Sequence, residues 1–341
     1  MGKKFINDNG KNTTNKGPVV RLDLHNHTFD YSGASKFLKK DIEAIYTTKI
    51  LYPSLNAVAI TNYHNVSNAL VLKDKFPSYI IVGCEYRVVE KNFPMHVVCL
   101  NISDKHHRKL MSARLRGIEY FISFLKNEKI IHYLTRVAWG IPINQKVIEH
   151  LYKYFKKFYA IDVANISIER ESLFAKKLAS YYELAKVGGS DNLISYYKQK
   201  VYTEFSETTL EKALDSIQDS QTVIGTLYTP ETKQHKSWWY IGKEIYQQHL
   251  HNAANAHRFS SKIGDLDATF ENKYFFEIIS QSQHIYKLEK HEKKIEKLEK
   301  VFTDYLRWKK TQEIFSSDSS VEEKKETWVK CLKNINSSFE L

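Results

Sequence analysis

At 341 residues, with 42% hydrophobic residues and a formal net charge of +12, the chain is long enough to bury a large core and exceeds a typical single domain, although α/β barrels reach this size with one added element. No run of about 18 apolar residues is present to cross a membrane, and the N-terminus has neither the apolar core of a secretory leader nor, with Ile6, a myristoylation signal. Three scattered cysteines, Cys84, Cys99 and Cys331, are too few for a disulfide framework, so a cytoplasmic protein without membrane attachment is expected.

Residues 1–18 are mostly Asn, Lys, Gly and Thr and read as a flexible tail. A β-branched and apolar run, Val19-Val20-Arg21-Leu22, then leads into Asp23-Leu24-His25-Asn26-His27-Thr28. On an extended strand the two histidines point to the same side, which is chelating geometry once further ligands join them. Asp30 to Ser35 is turn chemistry, and Lys39 to Ile50 has helical apolar spacing. Asn56 to Thr61 is a buried-strand run ending at Asn62-Tyr63-His64-Asn65, and Tyr79 to Glu85 is a strand closing on a carboxylate. Met95 to Leu100 is a strand with His96 near its start; Asp104 to Asn127 is a basic, helix-like region; Ile130-Ile131-His132 is a short strand signal ending in histidine. Val147 to Phe155 is helical, Phe158 to Asn165 a strand, Glu169 to Leu184 a helix, and Ala185 to Asp191 a strand ending at an acid. Strands alternating with helices predict parallel pairing and function at the C-terminal strand ends.

These segments, in this order, resemble the PHP superfamily, the polymerase-and-histidinol-phosphatase domain. The matching motifs are Asp23 to Thr28, Ala59 to Asn65, Gly83-Cys84-Glu85 with His96, His132 to Arg136, Ile161 to Asn165 and Gly189-Ser190-Asp191, with Val201 to Phe205 and Thr209 to Gly225 as closing segment. The resemblance spans 19–228 and implies a distorted seven-stranded β/α barrel with a C-terminal helical extension. It also implies metal ions at the C-terminal face: His25, His27, Glu85 and Asp191 around the first, and His96 and His132 completing a second that shares Glu85. Two divalent ions, Mn, Zn or Fe, are expected from such mixed ligands. A third site would use His64 and, imperfectly spaced, Asp30. It is expected to be weak or empty, because Asn62 replaces an acid and Leu193 stands where the family has a histidine.

The reading that follows is a metal-dependent phosphoesterase, in which a metal-bound hydroxide attacks a phosphomonoester or phosphodiester, nucleotide or nucleic-acid-derived substrates being favoured. Glu85, Asp191 and Arg136 are the candidate catalytic residues, with Arg136 or Lys105 touching phosphate. The alternative is a PHP-fold binding or regulatory module weakened in catalysis. Residues 101–160 hold 12 basic against 4 acidic side chains; Lys105, His106, His107, Arg108, Lys109, Arg114 and Arg116 are either a path for nucleic acid or the solvated face of a crossover helix. Residues 229–341 read as helical, opened by Trp238-Trp239-Tyr240. Leu288, Ile295 and Phe302, with His291, Leu298 and Tyr305, form a short heptad seam that suits a hairpin packed on the barrel or a homodimer contact.

Overall fold

The computed structural model describes residues 19–28, 35–90, 93–138, 149, 153–164, 169–194, 199–218, 222–228, 288–317, 320, 323–324 and 326–331. The expected tail at 1–18, Asp30, Trp238 to Tyr240 and most of the expected helix at 147–155 lie outside them. Ten strands are described: β1 (Val20–His27), β2 (Ala57–Ile60), β3 (Ile80–Glu90), β4 (Phe93–Leu100), β5 (Ile131–Thr135), β6 (Ala160–Asp162), β7 (Ala185–Val187), β8 (Asn192–Leu193), β9 (Gln199–Phe205) and β10 (Val223–Tyr228). They form one sheet in the order β10-β9-β1-β2-β3-β4-β5-β6-β7, with β8 beside the end of β1. β1, β2 and β3 are parallel neighbours, as are β5, β6 and β7; β4 and β9 run antiparallel to theirs.

The sheet curls until its ends nearly meet. The Gly188 N–H, just past β7, donates to the Thr203 hydroxyl on β9 (2.8 Å), and the Thr222 hydroxyl donates to the Lys186 carbonyl. The result is a mixed α/β protein with a nearly closed, barrel-like sheet, and the expected count of seven strands is too low. Val201 to Phe205, read as a closing segment, pairs along β1 as β9, and β10 pairs along β9. β3 also runs past Glu85, because Tyr86 to Val89 continues the strand into an antiparallel pairing with β4.

Two layers of apolar side chains follow from the pleat. Leu22, Leu24, Ala57, Ala59, Val98 and Tyr133 fill the interior of the barrel, closed from one side by Ala213 and Leu214 of α6 (Leu210–Asp215). Alternate residues such as Val58, Ile60, Val97 and Leu134 face the helices. Those include α1 (Ser35–Leu51), α2 (Ser67–Lys75), α3 (Asp104–Ala113), α4 (Ile118–Asn127) and α5 (Glu169–Tyr181). Ser103 and His106 form a capping box that starts α3. The basic stretch expected as one helix breaks at Gly117, whose φ of 88° suits glycine; a side chain there would also strike the Glu90 carboxylate, which accepts the Ile118 N–H that begins α4 (3.2 Å).

The C-terminal α7 (Leu288–Phe315) lies on the barrel. Ile295, Leu298, Phe302 and Tyr305, four members of the expected seam, are buried, and the Phe302 ring meets Phe155, Phe174 and Tyr182. Burial of such side chains contributes roughly 1.5–3 kcal/mol each. An ion pair between Lys177 of α5 and Glu299 fixes the register of that contact.

Candidate metal centre

The centre begins with an irregularity in β1. Asp23 pairs with Val58 and Asn26 with Ile60, so three steps of β1 oppose two of β2. A bulge of one residue shifts the pleat, and although Leu22 and Leu24 lie in the interior layer, His25 and His27 also turn inward. The Leu24 carbonyl at the bulge accepts the Tyr133 hydroxyl (2.8 Å). Across the barrel, Glu85 sits in mid-β3 and Asp191 just before β8.

These four buried side chains converge. His25 Nε2 is 3.2 Å from Glu85 Oε2 and 3.5 Å from Asp191 Oδ1; His27 Nε2 is 3.3 Å from Asp191 Oδ1 and 3.7 Å from Glu85 Oε2. One donor atom from each lies within 4.8 Å of all the others. Ligand bonds of about 2.1 Å in a tetrahedral site put donors about 3.4 Å apart, which the four histidine–carboxylate separations match. On its far side His25 Nδ1 hydrogen-bonds Asp162 Oδ2 (3.3 Å), the outer carboxylate that orients a ligating imidazole.

Electrostatics point the same way. Burial opposes charge on His25, but Asp191, Asp162 and Glu85 outweigh it and raise its pKa to about 10. Burial instead lowers that of His27, despite the pull of Asp191. Burial works against the Glu85 and Asp191 carboxylates too, yet Arg136 and the histidines hold both below the usual range. Asp162, with burial dominant, is pushed up to about 6. The cluster is thus anionic enough to keep one imidazole protonated, a charge a metal ion would replace.

The other oxygen of Glu85 faces different company. Oε1 is 2.8 Å from His96 Nδ1 and 3.5 Å from Arg136 Nε, while Arg136 Nη2 donates to Asp191 Oδ1 at 2.6 Å. The Tyr63 hydroxyl contacts His96 Nδ1, and the Arg136 guanidinium carbon lies 5.4 Å from the Tyr63 ring centroid. β4 is antiparallel, so His96, early in its strand, arrives at the same barrel end as Arg136, which follows β5 directly; His96 pairs with Thr135.

The backbone is built around these groups. His64, Arg136 and Asp191 have φ of 50°, 48° and 44°, left-handed conformations that non-glycine residues adopt chiefly where surrounding structure holds them. The His64 N–H donates to the Glu85 carbonyl (3.0 Å) and the Asp191 N–H to the His25 carbonyl (2.8 Å). Asp23 accepts both the N–H and the hydroxyl of Ser190 (2.8 and 2.5 Å). Gly189 packs so closely that an added Cβ would lie 2.3 Å from the His25 nitrogen. Beneath, the buried Lys200 donates to Asn26 Oδ1 (3.0 Å); burial lowers it to about 8, against the pull of Asp23.

Of the residues expected at the metals, the structure brings together His25, His27, Glu85 and Asp191, with His96 on the second face of Glu85. His132 stands apart. It is the second residue of β5, not its end, and pairs with Cys99, three residues from the Thr135–His96 pair, on the order of 10 Å along the strand. It points to the helix layer, between Phe158 and Tyr159, where burial lowers its pKa to about 4. His64 lies behind Tyr63, its Nε2 accepting the Arg87 N–H (3.4 Å), and is lowered to about 3 by burial and Arg114. Asn62 accepts the Thr28 N–H (2.8 Å) and donates to the Thr28 hydroxyl (2.6 Å), tying two strand ends. Leu193 pairs with His27 through the backbone.

Among the basic residues, Arg108 pairs with Asp104, Lys109 with Glu128 (3.1 Å), and Arg116 stacks on Tyr120. His107 Nδ1 is 2.7 Å from the Tyr86 hydroxyl. Two members of the centre were not expected there, Asp162 and Tyr63. Both carried a signal: an acid closing a strand run at Ile161-Asp162, and a tyrosine beside a motif histidine.

No family model and no curated protein matches the chain. Among solved structures, it is similar to a two-domain protein from Bacteroides vulgatus containing a predicted PHP-like metal-dependent phosphoesterase, at 13% identity over 66% of this chain and 69% of that one, with a TM-score of 0.47. It is also similar to PsfC from Pseudomonas syringae, at 15% identity over 68% and 99% of the two chains with a TM-score of 0.42. An amidohydrolase from Chromobacterium violaceum matches at 12% identity over 50% and 87%, with a TM-score of 0.35.

Proposed function

We propose that the chain is a metal-dependent phosphoesterase, cleaving a phosphomonoester or phosphodiester of nucleotide or nucleic-acid origin. One observation carries the proposal: four buried donors, His25, His27, Glu85 and Asp191, meet at the spacing of metal ligands. A divalent cation held there, Mn, Zn or Fe, supplies Lewis acidity towards a phosphoryl oxygen and lowers the pKa of water. The protein's own contribution is positional. Asp162 fixes the tautomer of His25, Glu85 couples the two halves of the site, and Arg136 offers a planar cation suited to phosphate oxygens.

A second reading, a PHP-fold module that binds a phosphorylated ligand without turnover, is favoured by Arg136 itself, whose guanidinium is already engaged by Glu85 and Asp191. The two are separated by measuring bound metal beside a panel of mononucleotides, oligonucleotide ends, a generic monoester and a generic diester, with Mn, Zn or Fe supplied. The phosphoesterase reading expects hydrolysis of at least one substrate that chelator abolishes and metal restores. Bound metal with no turnover on the whole panel would replace it with the second.

A further inference from the structure

The dinuclear arrangement implied by the sequence resemblance gives each oxygen of Glu85 an ion. In the structure one of those places is filled by protein. We propose that the centre takes a single divalent cation, between His25, His27, Glu85 Oε2 and Asp191, and that the Arg136 guanidinium serves permanently as the second cation. The proposal rests on the metal-dependent reading above and fixes its stoichiometry.

Three observations carry it. First, Arg136 stands on the second face of Glu85, Nε at 3.5 Å from Glu85 Oε1, while its Nη2 lies 2.6 Å from Asp191 Oδ1, the oxygen that also faces His25 and His27. A guanidinium does not give up its proton in a protein, so an incoming ion meets a fixed positive charge rather than a ligand. Second, the donors run out. A metal site needs three or four protein ligands; among the described residues only His96 joins Glu85 on this face, its Nδ1 in contact with Glu85 and Tyr63 and its Nε2 without a hydrogen-bond partner among them. His132 points into the helix layer, and His64 Nε2 accepts a backbone N–H. Third, the position is built for its occupant. Arg136 leaves β5 directly after the residue that pairs with His96, and its left-handed backbone (φ 48°) aims the side chain across the barrel mouth onto the Tyr63 ring.

The arrangement has a chemical consequence. An ion and a guanidinium on opposite oxygens of one carboxylate make an asymmetric clamp: the ion binds a substrate oxygen strongly through one contact, whereas a guanidinium recognises a pair of anionic oxygens through its fork. A phosphate group, with several equivalent oxygens, can satisfy both at once.

The test is the number of Mn ions bound by the full-length chain, from elemental analysis after desalting, together with the electron paramagnetic resonance spectrum of the bound metal. One Mn per chain with the six-line signal of an isolated ion is expected. Arg136→His removes the fixed charge and adds an imidazole, in a residue type that tolerates left-handed backbone; it should take up a second Mn and display the multiline signal of a coupled pair, whereas Arg136→Lys, keeping the charge, should stay at one. Two ions or a coupled spectrum in the unmodified chain would overturn the proposal while leaving metal-dependent hydrolysis standing. A folded Arg136→His variant that stays at one ion would overturn the part given to Arg136. Failure of the unmodified chain to bind Mn, Zn or Fe would overturn both readings, and the unmodified chain alone decides the stoichiometry if the variants do not fold.

Discussion

Glu85 has two oxygens and the protein treats them differently. Around Oε2 stand two imidazoles and a carboxylate at ligand spacing, with the His27 Nδ1 left without a hydrogen-bond partner among the described residues. Around Oε1 stand a guanidinium, an imidazole and a phenol in contact with one another, His96 keeping its Nε2 without a hydrogen-bond partner among the described residues. The first half is a set of acceptors whose mutual repulsion is relieved by a proton on His25 or by a metal ion; the second already holds a cation of the protein's own. A bridging carboxylate does not by itself make a dinuclear centre. What decides is whether the second face retains enough donors, three or four, to hold an ion.

Substitutions sharpen that contrast, the largest effect coming from the first half. Replacing His27 with Ala removes a proposed ligand and leaves the Arg136 network in place; Mn affinity measured by chelator competition should fall by more than ~100-fold, beyond what outer partners contribute, while the melting temperature of the metal-free protein changes little. Asp162→Asn keeps the shape but loses the carboxylate that orients His25, and affinity should fall by roughly 10–100-fold; an unchanged affinity would show that Asp162 does not support the ligand. His132→Ala should leave metal content and affinity unchanged and reduce only stability, by roughly 1–3 kcal/mol for lost packing against Phe158 and Tyr159. A fall in metal content on that substitution would place His132 back among the ligands.

Much of this was legible in the sequence, because the signals were local. Strand runs closing on polar residues located His25, His27, Asp191 and the end of β2, and apolar spacing located α1, α5 and α7. What escaped was set by pairing. His132 and Arg136 lie four residues apart in one short apolar stretch, and only the length of β5 decides which of them reaches the barrel mouth; the strand continues to Thr135 and presents Arg136. The heptad residues of α7 carry a pattern compatible with a partner helix or with the barrel, and the neighbours that settle it, Phe155, Phe174 and Tyr182, come from distant stretches of chain. β9 and β10 escaped the strand count because their hydrogen bonds run to β1 and to each other.

The bulge in β1 has a genetic corollary. In this strand the apolar residues Val20, Leu22 and Leu24 all belong to the interior layer, and the bulge after Asp23 is what lets His25 and His27 face the same way as they do. Loss of the His25 codon would regularise the pairing with β2, put Leu24 in the vacated inward place and keep His27 facing the barrel, so that half of the histidine pair would be gone. The lineage of such a gene can therefore part from its chemistry in one small deletion and keep the architecture.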